Sequence, residues 1–270
     1  MLHELPILLA VAFGFAVAMM VVVYAISRRI HNAGIVDIAW SAGFAPVALL
    51  YALLAHGHAP RRALIATMAA LWSLRLGGYL YFRVMGHHPV EDRRYQQLRA
   101  EWGANANRRM FWFFQLQAAL LVVLSAPFLI ACLNPAPEIK LVEWLGASVW
   151  LIAVAGEGLA DFQLKQFKTD PANQGRVCQS GLWNYSRHPN YFFEWLIWVA
   201  FFLFALGSPW GWVTVYCPAL MLFFLLKVTG IPMTEELAVK TKGEAYREYQ
   251  RTTSVFVPWF KNPSTTTHHD

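Results

Sequence analysis

Apolar residues in this chain gather into seven long runs, at roughly 6–26, 34–55, 63–84, 110–132, 141–161, 192–207 and 209–230, with polar links between them. An α-helix needs about 20 apolar residues to cross a bilayer. In lipid, moreover, only helices and closed barrels satisfy their own backbone. The pattern therefore predicts an all-α, polytopic integral membrane protein with seven transmembrane helices. Residues 1–262 are expected to form a single membrane-embedded domain, followed by a polar tail at 263–270. The sixth run is short and ends at Gly207-Ser208-Pro209, a turn signature between two hydrophobic helices. The first run, from Pro6 to Ile26, is too long for a signal-peptide core and has no small-residue cleavage site, so it reads as a span. The sequence carries no internal repeat and no pair of matching interrupted helices of the transporter kind.

Composition agrees: 57% of the 270 residues are hydrophobic and 14% charged, against roughly 25% charged in a soluble domain. A soluble globular protein is excluded. In a soluble chain the net charge of +6 would raise the question of nucleic acid. Here basic residues flanking the spans account for it, and no nucleic-acid partner is expected. Seven spans place the termini on opposite sides. One side collects Arg28, Arg29, Arg83, Arg93, Arg94, Arg99, Arg108, Arg109, Lys165, Lys168, Arg176, Arg187 and the basic C-terminal segment; the other has Arg61, Arg62 and Lys140. The positive-inside rule makes the first side cytoplasmic, with the N-terminus outside and the C-terminus inside. The long polar connections 84–109, 161–191 and 231–270 then share the cytoplasmic face. A bacterial inner membrane and an endoplasmic-reticulum membrane fit equally, and a monomer is expected. Cys132, Cys178 and Cys217 have no metal-type spacing, and no metal is expected.

Ionisable residues inside spans point to function by default. Asp37 lies in the second run. Arg75 and Tyr79 lie four apart in the third and share a helix face. A buried Arg75 wants a carboxylate or a phosphate, and a purely structural Arg75–Asp37 pair stays open beside a functional one. Glu157, Asp161, Lys165 and Lys168 follow at intervals of four, four and three and line one helix face. They read either as helical ion pairs or as a ligand site, with carboxylates suited to ribose hydroxyls or an adenine amine and lysines to phosphates.

The most informative stretch is Gly181-Leu182-Trp183-Asn184-Tyr185-Ser186-Arg187-His188-Pro189-Asn190-Tyr191-Phe192-Phe193-Glu194. Pro189 suits the first position of a helix, with Ser186 or His188 as cap. Arg187 and His188 beside the free N–H groups there favour an anion. Asn190 and Glu194 lie one turn apart and face the same way. This segment resembles the signature of the steroid 5α-reductase family and, less specifically, that of sterol reductases and isoprenylcysteine carboxyl methyltransferases. The resemblance covers about residues 30–260. It includes the Glu157–Lys168 face, Arg176, Thr234-Glu235-Glu236, Tyr246, Tyr249 and Val257-Pro258-Trp259 in order.

The resemblance implies a membrane reductase that passes a hydride from NADPH to a carbon–carbon double bond conjugated to a ketone, as in 3-oxo-Δ4 steroids, with the hydrophobic substrate entering from lipid. It places Asn190 and Glu194 near the nicotinamide carboxamide and Glu157 and Asp161 near the adenosine half. Lys168 and Arg176 are set at phosphates, and Arg93 with Tyr95 forms a cytoplasmic clamp. Arg187, His188, Tyr191 and Glu235 complete the implied cofactor set. Tyr79 is implied as donor to the ketone oxygen, assisted by Asp37. The sequence departs from the animal enzymes in having one short acid, Asp37, for a Gln-Glu pair, and Met233-Thr234 for a His pair. No GxGxxG loop is present, so a Rossmann fold is not expected. Two alternatives stay open: a membrane methyltransferase using S-adenosylmethionine, with Glu235-Glu236 as its acidic pair, and a non-catalytic sterol or lipid transporter.

Overall fold

The structure is a computed structural model and describes residues 3–228 and 230–261; the polar tail expected at 263–270 lies outside them. Every regular element among the described residues is helical. The helices are α1 (Leu5–Ile30), α2 (Ile35–Leu54), α3 (Ala59–Met85), α4 (Arg93–Trp102), α5 (Ala106–Leu124), α6 (Ala126–Leu133), α7 (Leu141–Thr169), α8 (Pro189–Ala205), α9 (Tyr216–Phe223), α10 (Ile231–Lys242) and α11 (Glu244–Thr252).

Among the described residues, six helical segments are long and apolar enough to cross a membrane: Leu5–Ile30, Ile35–Leu54, Ala59–Met85, Arg93–Leu133, Leu141–Thr169 and Gly211–Lys242. The chain is thus a multi-pass membrane protein. Exposed Ile7, Val22, Leu53, Leu74 and Leu151 on these helices present apolar surface outward. The run expected as the sixth span forms α8, which has 17 residues and measures roughly 26 Å at 1.5 Å per residue. Two further runs are more broken than their composition suggests. Ser125 separates α5 from α6, its hydroxyl donating to the Val122 carbonyl at 2.8 Å just before Pro127, because proline supplies no N–H to continue the ladder. The last run is a 3₁₀ turn at Gly211–Val215, then α9, then a π-helical turn at Phe224–Val228.

The chain forms two compact units. The first comprises residues 1–143 and 204–214. Its α2 and α3 form a close hairpin: a Cβ on Gly77 would lie 3.0 Å from that of Ala42. The Ser73 hydroxyl donates to the Ser41 carbonyl at 2.6 Å and accepts from the Ala45 N–H at 3.0 Å, one residue before Pro46, where the α2 ladder loses a donor. Phe44 packs against Trp40 and Trp72 at ring separations of 5.0 and 5.2 Å. Tyr24 locks α1 to α5 between Phe111 and Phe114. The turn after α8 closes on itself: Trp210 takes a left-handed φ of 64°, and a Cβ on Gly211 would lie 1.8 Å from the Ala205 carbonyl oxygen, so only glycine fits.

The second unit comprises residues 144–203 and the segment from 215 onward. Here α7 and α8 approach until a Cβ on Gly156 would lie 2.4 Å from the Phe193 ring. The loop leading into α8 is fastened from both directions. From α7, the Gln163 side chain accepts the Leu182 N–H at 2.9 Å, and the Trp183 indole donates to the Ala160 carbonyl at 2.9 Å. From the C-terminal segment, the Tyr249 hydroxyl reaches the carbonyls of Trp183 and Ser186, the Ser186 hydroxyl donates to the Phe256 carbonyl, and the Trp259 N–H donates to the Tyr185 carbonyl. Tyr249 and the Trp259 backbone thus hold the loop in place.

Candidate functional site

In the second unit the α7 and α8 faces expected from sequence come together. Glu157, Asp161 and Glu194 are all buried, at 3%, 9% and 7% exposure, a costly concentration of carboxylates for an apolar helix pair. The Asn190 side-chain N–H donates to Asp161 Oδ1 at 3.4 Å. That contact sets the amide orientation, since a carboxylate accepts and does not donate. Asn190 Oδ1 is thereby turned the other way, buried and with no hydrogen-bond partner among the described residues. Glu194 accepts from the Trp198 indole at 3.0 Å, one turn further along α8. Lys168, in the last turn of α7, and Arg176, in the connection that follows it, are exposed.

Glu235 is the hub of a second network. It accepts from Arg187 Nε at 2.6 Å and Nη2 at 3.2 Å and from the Gln250 amide at 2.9 Å, and His188 Nε2 lies 3.2 Å away. Arg187 Nη1 also donates to the carbonyls of Gln250 and Thr253. Four of the five guanidinium donors are therefore engaged by the protein itself. In this structure Arg187 joins the start of α8 to α10 and to the end of α11, where the sequence suggested an anion ligand. His188 is 2% exposed and stacks flat on Tyr191, at 5.4 Å and an interplanar angle of 4°. The Ser186 hydroxyl accepts the His188 N–H at 3.1 Å, making Ser186 the polar cap before Pro189. Glu235 and its neighbour part company: Glu236 pairs with Lys240 in solvent, 67% exposed. Successive helical positions point about 100° apart, so the two acids take different partners.

The first unit holds the remaining candidates. Tyr95 donates to Asp37 Oδ1 at 2.6 Å, Arg94 Nη2 donates to Asp37 Oδ2 at 2.8 Å, and Arg83 Nη2 lies 3.8 Å from Oδ2. The carboxylate is thus held by α4 and the end of α3. The hydrogen bonds to it come from Tyr95 and Arg94, not from Tyr79. Tyr79 sits on α3, half exposed. Arg93, the expected clamp residue, points to solvent, while Arg94 does the pairing. Asp92 caps α4 by accepting the Arg94 N–H at 3.0 Å, and that cap sets the helical phase which turns 94 and 95 inward. Glu91 fastens the same helix, accepting from the Ala33 N–H at 2.6 Å and from Arg99 at 2.9 Å. Sequence reasoning missed Arg94, Trp198 and Gln250. Only Trp198, four residues after Glu194, had a readable signal.

No cluster of three or more histidine, cysteine or acidic residues able to hold a metal occurs among the described residues. In comparison with known proteins, the family described as protein of unknown function (DUF1295) matches residues 23–253. A protein of Schizosaccharomyces pombe described as uncharacterized is 28% identical over 272 residues, covering 88% of this chain and 76% of its own length. No solved structure matches.

Proposed function

The chain belongs to the DUF1295 family, and from its site residues we propose that it is an NADPH-dependent membrane reductase of conjugated ketones, 3-oxo-Δ4 steroids or similar enones. One observation carries the reading: Asn190 Oδ1 is a buried acceptor with no hydrogen-bond partner among the described residues. Such a group costs about 1–3 kcal/mol unless a ligand supplies a donor, and a carboxamide N–H is a donor of the right kind. Buried acids beside it suit hydroxyl and amine donors, and exposed Lys168 and Arg176 suit phosphates. When bound, NADPH supplies the hydride. Asn190 and Glu194 would orient its carboxamide end, with Asp161 holding the Asn190 amide and Glu157 one helical turn away on α7. His188, Tyr191, Arg187 and Glu235 keep the start of α8 rigid beside it. Tyr79 donates a hydrogen bond to the substrate ketone, where negative charge develops. Asp37 holds α4 against the α2–α3 hairpin.

We also place seven crossings in the membrane, with α8 as a short seventh, the N-terminus outside and the C-terminus cytoplasmic. Two of the three basic residues on the outer side, Arg61 and Arg62, are consumed by internal acceptors.

The test is NADPH oxidation by the protein in lipid nanodiscs with a panel of steroid and non-steroid enones, products being identified by mass and stereochemistry. Asn190→Ala is expected to weaken NADPH binding roughly 10- to 100-fold, the equivalent of one buried hydrogen bond. Thermal stabilisation by S-adenosylmethionine and none by NADPH would overturn the reading in favour of a methyltransferase.

A further inference from the structure

Most arginines of this chain have acids or carbonyls of their own. Arg61, Arg83, Arg94, Arg99, Arg187, Arg247 and Arg251 each lie within ion-pair distance of a carboxylate, and Arg62 donates to the Ala52 and Ala55 carbonyls. One group differs. Arg28 and Arg29 end α1, Arg108 and Arg109 begin α5, and all four are exposed. The acid nearest them in sequence, Glu101, is engaged by Gln97.

These two ends are far apart in sequence and joined in space by one tyrosine. The Tyr24 hydroxyl donates to the Asn107 carbonyl at 2.8 Å, and Arg28 Nη1 lies 3.4 Å from the same hydroxyl. Arg28 is thereby placed beside the residue preceding Arg108, and Arg29 and Arg109, the next residues of each helix, add to the local charge. The position along the helices matters as much as the charge. Arg28 and Arg29 close the apolar segment Leu5–Ile30, and Arg108 and Arg109 stand at the start of α5, ahead of the apolar part of the segment Arg93–Leu133. Immediately inward are exposed Val22 and Ile26 on α1 and exposed Trp112 and Leu116 on α5, an aromatic and aliphatic surface of the kind that meets lipid at the headgroup boundary.

We propose that the joined ends of α1 and α5 bind the phosphate of an anionic phospholipid headgroup, with Arg28 and Arg108 as its principal contacts. Guanidinium groups match phosphate oxygens in pairs, and basic pockets between membrane helices select acidic headgroups. A free phosphate would find the charge but not the apolar flank that places the acyl chains alongside it. The site needs nothing from the reductase reading and stands or falls apart from it.

Lipid retention decides the matter. The wild-type protein is exchanged into mixed phosphatidylglycerol and phosphatidylcholine, and bound lipid is counted by native mass spectrometry. Wild type is expected to retain phosphatidylglycerol preferentially. Arg28→Gln with Arg108→Gln is expected to lose that preference, by roughly fivefold per arginine. Arg28→Lys with Arg108→Lys should keep part of it, and Arg247→Gln, at a surface arginine of the other unit, all of it. Equal retention of both lipids by wild type would overturn the proposal, as would an undiminished preference in the double glutamine variant. If that variant does not fold, the wild-type melting temperature in the two lipids serves instead. A rise with phosphatidylglycerol over phosphatidylcholine supports the site, and an equal rise with inorganic phosphate in detergent overturns the lipid assignment.

Discussion

Arg61 and Glu143, 82 residues apart, form an ion pair with neither side chain exposed, Nε to Oε1 at 2.5 Å. The guanidinium also donates to the carbonyls of Asn134, Ala136 and Glu138, and its Nη2 reaches Glu143 Oε2 at 3.3 Å, so its donors are all employed. Gly207 packs so closely on Glu143 that a Cβ there would lie 2.3 Å from it. Breaking such a pair from one side leaves a buried charge uncompensated, at a cost of about 3–5 kcal/mol. Glu143→Ala should therefore lower the melting temperature sharply in detergent. Arg61→Met combined with Glu143→Leu should cost less than Glu143→Ala alone, and a double variant equally damaged would disprove the charge argument.

Arg187→Lys tests the loop before α8. A lysine presents a single nitrogen where Arg187 spans Glu235 and two carbonyls. The expected loss is roughly 2–3 kcal/mol, seen as a lower melting temperature together with faster proteolysis of residues 244–260. Unchanged proteolysis would mean the C-terminal segment is held by other contacts.

The α4 cap gives a pH dependence. Burial pushes the Asp92 carboxyl up, but hydrogen bonds from Arg94 and its positive charge outweigh that and hold it below the ordinary carboxylate value. A depressed native pKa means that the contribution is fully present above the unfolded value, near pH 4, and is lost as pH falls through the lower native one. Hydrogen-exchange protection of residues 93–99 should therefore stay flat from neutral pH to about 5 and fall below about 4. Asp92→Asn keeps a capping side chain and should remove the slope.

Gly156 is the close-approach point of α7 and α8 in the second unit, and any side chain there meets the Phe193 ring. Gly156→Val should cost about 1–3 kcal/mol by overpacking, and Phe193→Ala should restore part of that loss in the double variant. Additive losses would show that the two positions do not share the contact.

Membrane character was readable from the chain because hydropathy is a local property. Each run reports its own preference for lipid without knowing its neighbours. The Glu157–Asp161 and Asn190–Glu194 faces were readable for a similar reason, since helical spacing fixes which residues of one helix point together. The identity of partners was not readable. Arg75 was an open candidate for Asp37. The antiparallel hairpin instead brings the first turn of α2 beside the end of α3, where Arg83 stands, and α4 folds in with Arg94 and Tyr95. Arg93 and Arg94 are neighbours with the same chemistry, and the cap at Asp92 together with the Tyr95 and Glu91 contacts leaves Arg94 as the one turned inward.

By itself, then, the sequence determined a multi-pass helical membrane protein, the apolar runs and the helix faces bearing carboxylates and amides, all consequences of spacing along a single helix or of solvent preference. The tertiary structure decided which charges are spoken for. Arg61, Arg94 and Arg187 are tied up by residues 82, 57 and 48 positions away, while Arg28 and Arg108 are left exposed at the helix ends that Tyr24 joins. Those long-range pairings follow from how helices pack against one another, a matter of three-dimensional fit on which hydropathy along the chain carries no information.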